Sequence, residues 1–496
     1  MRGAALLYFY HVMRLVIIVI VLCFDHAAYA QKHDYFWTFG YAANYIDTIV
    51  ENGGCTIDFN SNPPKMTKLN TILNFQNYAA TCSDSSGQLQ FYTNGMRIYN
   101  KNYQLMQNGD TINPGDRWEI FNEDNVGYLG FSPIIIPAPV GGNKYYMFHL
   151  GIYINNVVKY GPLYYTEIDM SANNGNGRVV SKNNILMSDA EKSFSSPVAI
   201  KHANGRDWWL LTHIAGQSKI IRYLINLEGI TYSGEQEVNF DFTFENGRVA
   251  RCRASPDGMQ YALLDSGNFL ALFDFDRCTG LLSNKRTLHR YSPVLFYGYL
   301  TFSPDSRLLY LSNLITMTQL DLMADTLQPN ILDTVQQFDY TNYPSPPFYA
   351  GFGDPIITPN GKIYYVATGA TAYMSVLHRP NLPGSACDYE TGGLRLPRFN
   401  ARTYFLFPNY RLGALTNSPC DTLGFKQPPH EGFVNTSYEA FLEQQARSKR
   451  QVFRQMPPYT GKKDLPFNPE SPEAIIEAEM KQNALNKATR LKNEEK

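Results

Sequence analysis

Short polar turns punctuate the chain, and each is followed by an apolar or aromatic run. The first such unit is SDSSGQLQFYTNGMRIYN (83–100). It returns in PAPVGGNKYYMFHLGI (137–152), KHANGRDWWLLTHI (201–214), ASPDGMQYALLD (254–265), FSPDSRLLYLSN (302–313) and ITPNGKIYYVAT (357–368). Asn-Gly and Asp-Gly tolerate the positive φ that tight hairpins demand, and a proline ahead of them presets φ at the turn. Gly87, Gly142, Gly205, Gly258, Ser306 and Gly361 mark the turns at intervals of 48 to 63 residues. Periods of about 40 to 50 residues with four strands each characterise propeller blades, so some loops here are extended.

A third strand follows each unit, as in LYYTEID (163–169), KIIRYLINL (219–227) and LALFDFD (270–276). Several end in Asp or Asn before a turn: Asp169, Asn226, Asp276 and Asp321. A fourth, more polar strand comes next, for example GRVVSKNNILM (177–187), where polarity discourages sheet-to-sheet pairing at an exposed edge. Six units therefore fill residues 78 to 397. The leftover segments are DYFWTFGYAANYIDTI with CTIDFN at the start and RTYFLFPNYRLG (402–413) at the end. Neither completes a blade, but together they make a seventh that joins the two ends of the ring. The pattern predicts an all-β, seven-bladed β-propeller, with six or eight blades as alternatives, followed by a partly helical C-terminal tail. The domain plan is a signal peptide at 1–30, the propeller at 31–422, a linker at 423–436 and the tail at 437–496.

The turns SPDG, SPDS and TPNG before strands resemble the WD40-like repeats of TolB-type propellers. In order along the chain, FWTFGYAANYIDTI, SDSSGQLQFYTNGMRIYNKNYQLMQNG, NGRDWWLLTH, SPDGMQYALL with FDFDRCTG, and RTYFLFPNYRLG resemble secreted propellers of the Bacteroidota type. The resemblance covers residues 34 to 422. Members of that group often carry a C-terminal β-sandwich sorting domain, and this tail lacks its alternating strands.

Composition narrows the picture. Aromatics are 14% of the chain, with 35 Tyr and 30 Phe, which suits pleated, half-buried surfaces. The net charge is −1 with 18% charged residues, so there is no whole-chain electrostatic footprint for nucleic acid. Near the N-terminus Arg14 precedes a ten-residue apolar run from Leu15 to Phe24, and Ala28-Tyr29-Ala30 fits a cleavage site that leaves Gln31 first. The run is short for a bilayer span of about 20 residues, so export is expected without a stable membrane span. The destination is the periplasm, the cell surface or the medium. Six cysteines remain after cleavage, compatible with disulfides in an exported chain. Spacing does not choose a pairing; Cys252 with Cys278 and Cys387 with Cys420 are the local pairs.

After Cys420 the texture changes. FKQPPHEGF reads as a linker, and Thr436-x-x-Glu439 is a capping box opening a helix that Pro457-Pro458 should stop. Ser471-Pro472 opens a second helix with one narrow apolar stripe, Ile476, Met480, Ala484, Ala488 and Leu491. The tail is expected mainly in solvent, with docking on an envelope-protein partner as the functional alternative.

Chemistry is sparse. Asp207, Trp208, Trp209 and His213 form the richest local cluster and are the candidate ligand contacts, although a tryptophan between sheets more often packs than binds. No H-E-x-x-H, G-x-S-x-G, phosphate-binding loop or dinucleotide fingerprint stands in the right context, so no catalytic residue, metal or cofactor is assigned. SANNGNG (171–177) lacks the acidic spacing of a calcium loop. The leading expectation is an exported, non-catalytic propeller that binds protein or glycan at one face. The alternatives are a propeller hydrolase or lyase, and a subunit of an envelope or secretion complex docked through the tail helices.

Overall fold

The computed structural model describes residues 31–454 apart from 41–52, 72, 76–77, 123–130, 156, 189–192, 240–249, 266–268, 290–297, 313–315, 335–351, 368–370, 401–403, 426–432 and 435–436. The signal-peptide reading and the second tail helix lie outside the described residues.

The strands form seven blades around one axis. Five are four-stranded antiparallel sheets in simple up-and-down order, and two have three strands. Numbered in chain order, blade 1 is Ala80–Ser83, Leu89–Thr93 and Ile98–Asn100. Blades 2 to 6 begin at Ile134–Pro137, Val198–Lys201, Ala250–Ala254, Tyr299–Phe302 and Phe352–Ile357. These first strands touch one another in sequence around the ring and form its inner wall. Their residues are mostly buried, whereas outer strands such as Arg178–Met187 and Gly229–Glu237 are largely exposed or half-buried. That gradient follows the sequence, because the inner strands are apolar and the outer ones polar.

The seventh blade is the clasp. Phe36–Gly40, Gly54–Asp58 and Lys65–Leu69 supply three strands from the N-terminal end. The C-terminal segment after residue 403 takes the inner position. Tyr404 bridges to Tyr78 in parallel, and the Tyr404 carbonyl accepts from the Ala79 amide. Phe405 and Phe407 pack on the fully buried Trp37, with ring centroids 5.3 and 5.6 Å away. The expected union of the two chain ends in one blade is present.

Two faces follow from this geometry. The inner strands begin at the upper face and end at the lower face, where the Pro-Asp-Gly type turns lie. There the chain continues as a strap beneath blades 3 and 4. The Leu415 amide donates to the Ala203 carbonyl, and Asn409 Nδ2 donates to the Pro256 carbonyl. Gly205 has φ +79°, and a Cβ there would stand 2.5 Å from the Ala414 nitrogen. Glycine is thus required both by the turn and by the strap crossing it.

The strap carries two corrections. The disulfide joins Cys278 to Cys420, with Cα atoms 5.7 Å apart. Cys252 and Cys387 are buried free thiols, as are Cys55 and Cys82. The pairs nearest in sequence fail because Cys252 lies within an inner strand while Cys278 sits in a lower-face turn, where the strap passes. The first tail helix, Tyr438–Ser448, is not in open solvent. Its N-cap is Ser437, whose side chain accepts from the Ala440 amide, so the cap lies one residue beyond the Thr436 box. Phe441 packs with Ala203, Met259 and Leu415. The fully buried Asp274 accepts from Ser448, Gln444 and Arg286 and holds the helix on blade 4. Beyond it, Val452–Phe453 pairs in parallel with Thr326–Leu327 of blade 5.

Candidate ligand site in the central channel

Contacts between blades that are not neighbours must cross the axis, and such contacts outline the channel. Near the upper face, Arg251 of blade 4 reaches Tyr78, which leads into blade 1: its Nη2 lies 3.4 Å from the phenol oxygen. The same guanidinium stacks 4.3 Å from the ring centroid of Tyr299, at the start of blade 5. Tyr404 from the clasp completes the group. Its hydroxyl is 3.0 Å from that of Tyr299, and its ring centroid is 5.3 Å from Tyr78 and 5.4 Å from Tyr299. Tyr299 and Tyr404 are buried, while Arg251 and Tyr78 are half-buried.

One step lower, Arg253 Nη2 donates to both oxygens of Asp354 on blade 6, each at 3.0 Å. Lower still, Arg411 grips Asp34 with two parallel bonds of 2.7 and 2.9 Å. This buried pair links residues 377 positions apart and latches the strap to the N-terminal strand. Arg277 is fully buried and donates to the carbonyls of Lys201, His202 and Gly413. Lys201 donates to the Tyr410 carbonyl at 3.0 Å and sits 4.6 Å over the Trp208 ring. Burial pushes the Lys201 ammonium down to about 7 and the Arg277 guanidinium down to about 9. A cavity of about 80 Å³ lies among Asp34, Lys201, Arg253, Phe407, Asn409 and Arg411. It holds a few water molecules at most and is well below the roughly 300 Å³ of an ordinary small-molecule pocket.

The residues first singled out lie elsewhere. Trp208 packs in the core between blades 2 and 3, and Trp209 packs in the core between blades 3 and 4. Trp209 also donates to the Arg277 carbonyl at 2.9 Å and lies flat against Gly280. Asp207 is paired with Arg206 at 2.7 Å and accepts from Asn204. His213 is fully buried, with Nε2 bonded to the Gln217 carbonyl at 2.7 Å and Nδ1 to the Ser195 hydroxyl at 3.0 Å. The carbonyl fixes Nε2 as the donor, leaving Nδ1 as acceptor, and burial holds the imidazole down at about 4. All four side chains are packed within blade 3 and its lower turn, and none belongs to the channel group.

Sequence reasoning missed Arg251, Arg253, Asp354 and the three tyrosines. One clue stood in ARCRA (250–254), where two arginines alternate with small residues on an inner strand. Alternation sends Ala250 and Cys252 into the blade core and turns Arg251 and Arg253 toward the axis. Among the described residues, no group of three or more His, Cys, Asp or Glu side chains converges as a metal site would. No helix among them is long and apolar enough to cross a membrane.

No family model matches this chain, and no curated protein matches it. Solved structures do. A provisional 6-phosphogluconolactonase of Bacteroides uniformis is 12% identical over 74% of this chain and 98% of that one, with a TM-score of 0.44. The periplasmic gluconolactonase PpgL of Pseudomonas aeruginosa is 12% identical over 74% and 96%, with a TM-score of 0.40. The Cps50 (Swd1) β-propeller domain of Myceliophteria thermophila is 9% identical over 67% and 96%, with a TM-score of 0.35. At these values the seven-blade assignment rests on the strand order described above, and nothing about activity transfers.

Proposed function

We propose that this chain is an exported, non-catalytic propeller of the secreted WD40-like type, serving as a binding or scaffold module for a protein or glycan at the cell envelope or outside the cell. The observation that carries this reading is the fate of the channel carboxylates. Asp354 and Asp34 are each held by an arginine, so neither offers the adjustable proton that general acid or base work needs. The upper end of the channel instead holds tyrosines and a guanidinium, groups common in recognition sites. The lower face beneath blades 3 and 4 is covered by the chain's own strap and helix, which favours the opposite mouth as the binding end. The disulfide between residues 142 positions apart supports an oxidising compartment. The first tail helix is engaged with blade 4 by one face, so docking of a separate envelope protein would use its outer face or the residues after 454.

The test is an array carrying both glycans and peptides, probed with the full chain after export. Retention on particular spots that stay intact by mass spectrometry is expected. Cleaved spots would establish the hydrolase or lyase alternative. N-terminal sequencing of the exported protein should begin at Gln31.

A further inference from the structure

We infer that the lower end of the channel holds a binding site for a small inorganic monoanion such as chloride, built by Lys201 of blade 3 and Arg411 of the strap. Both residues line the cavity of about 80 Å³. Arg411 gives Nη1 and Nη2 to Asp34, but its buried Nε meets no acceptor among the described residues. A buried guanidinium N–H without an acceptor is costly, and an anion beside it removes that cost. Lys201 is buried too. Its ammonium carries three donors, of which one reaches the Tyr410 carbonyl, and it lies 4.6 Å over the Trp208 ring. That carbonyl belongs to the peptide bond joining Tyr410 to Arg411. The ammonium therefore reaches the strap next to the residue whose Nε lacks an acceptor.

Charge and size set the chemistry of the ligand. Arg253 is matched by Asp354, Arg411 by Asp34, and Asp257 acts electrostatically on Arg277. Asp34 lines the same cavity, but both its oxygens accept from Arg411, so that pair is neutral. Lys201 has no counter-charge among the described residues: the charged group that acts on it is Arg277, which repels it. Neighbouring His33 is held down at about 4 by burial and is neutral near pH 7. One ammonium thus lacks one negative charge, which a monoanion supplies. A dianion would leave a negative charge buried and unmatched. The cavity is far below the roughly 300 Å³ of a small-molecule pocket, so a halide with a water fits and a sugar acid does not. Burial and Arg277 leave the Lys201 proton weakly held, at about 7. An anion beside it tightens that hold, so anion uptake and protonation of Lys201 strengthen one another. The bound ion would join blade 3 to the strap beside the Asp34–Arg411 latch.

The experiment uses the full, oxidised chain and two readouts. The first is the chloride-35 NMR linewidth as sodium chloride is titrated at pH 6.0 and at pH 8.5. Saturable broadening should appear at pH 6.0, with a dissociation constant on the order of millimolar. Binding should be roughly thirtyfold weaker at pH 8.5, because a site that needs a proton held near pH 7 loses about tenfold per pH unit above it. The second is anomalous diffraction from crystals grown in sodium bromide at pH 6.0, which should place a bromide in the cavity within hydrogen-bond reach of Lys201 Nζ and Arg411 Nε. Lys201→Gln, which keeps a donor for the Tyr410 carbonyl and removes the charge, should abolish both signals while retaining the native near-ultraviolet circular dichroism. No saturable broadening, equal affinity at the two pH values, bromide on the surface alone with water in the cavity, or unchanged binding by Lys201→Gln would each overturn the assignment. If Lys201→Gln does not fold, the pH dependence and the bromide position in the native chain decide between the same two answers.

Discussion

The two ends of one channel hold arginines in opposite circumstances. At the lower end, Arg411 and Arg277 are buried, and their donors meet a carboxylate or backbone carbonyls from segments far apart in sequence. They are closure devices: each ties the C-terminal strap to an earlier part of the ring. At the upper end, Arg251 meets a tyrosine hydroxyl and a tyrosine face, and the Asp354 carboxylate acts on it electrostatically. The same side chain is therefore gripped by direct bonds to a carboxylate or carbonyls at one end, and held by a long phenol contact and a ring face at the other. If that contrast is right, equivalent substitutions at the two ends should separate cleanly in stability measurements.

The largest effect is expected at the latch. Arg411→Ala leaves the Asp34 carboxylate buried without its partner, which costs about 3 to 5 kcal/mol. Urea denaturation of the oxidised chain should show this loss. Asp34→Leu combined with Arg411→Leu should recover much of it, because two apolar groups leave no stranded charge. If the single variant unfolded with the native midpoint, the latch would not be closing the ring. Next in size is the disulfide. Cys278→Ser should remove about 2 to 4 kcal/mol, since the bond closes a long loop in the unfolded chain. Reducing agent should produce the same shift in the native protein and none in the variant, because the remaining thiols at Cys55, Cys82, Cys252 and Cys387 are free.

How far the sequence reaches is set by the range of each interaction. The blades were legible because a turn and its flanking strands are local. Gly205 and Gly258 adopt φ of +79° and +70° where Asn-Gly and Asp-Gly announced turns, and Ser306 takes +63° at the equivalent place. Asp276 caps its own turn by accepting from the Cys278 amide, as strand-final aspartates promised. The clasp was legible by elimination, since two incomplete segments at opposite ends were left over. The site was not. Arg251 and Tyr299 lie on different blades, and Tyr404 comes from the clasp, so no spacing along the chain brings them together. The tryptophans misled because Trp208 and Trp209, adjacent and conspicuous, alternate into the two cores that flank their strand. The disulfide misled for a related reason: the strap returns beneath blade 4, and chain proximity gave way to the path of the strap.

The histidines sharpen the comparison through pH. His33, His149 and His213 are buried, and burial lowers them from 6.5 to about 4, about 3 and about 4 respectively. Unfolded imidazoles take up protons as pH falls below about 6.5, whereas the folded ones do so only near 4 and below. Within that window the unfolded state binds more protons, so stability falls with falling pH and levels off beneath the folded values. The urea midpoint should therefore drop between pH 7.5 and pH 4.5, and His213→Asn should make the drop shallower. A midpoint that rises on acidification would contradict the burial of neutral imidazoles.

The smallest stability effect is expected at Arg251, and its smallness is the informative part. Arg251→Gln keeps a polar group beside Tyr78 and removes a charge that Tyr78, Tyr299 and Asp354 favour without a two-bond carboxylate grip. Its loss of stability should stay within about 1 kcal/mol, the range of an ordinary half-exposed substitution. The comparison with Arg411→Gln should be run in parallel, because side-chain size and hydrogen-bonding type are then the same at both ends. What differs is burial and the two-bond carboxylate grip, which Arg411 has. If Arg251→Gln destabilises as much as Arg411→Gln, the upper arginine is a second latch across the tyrosines, and the contrast between the two ends collapses.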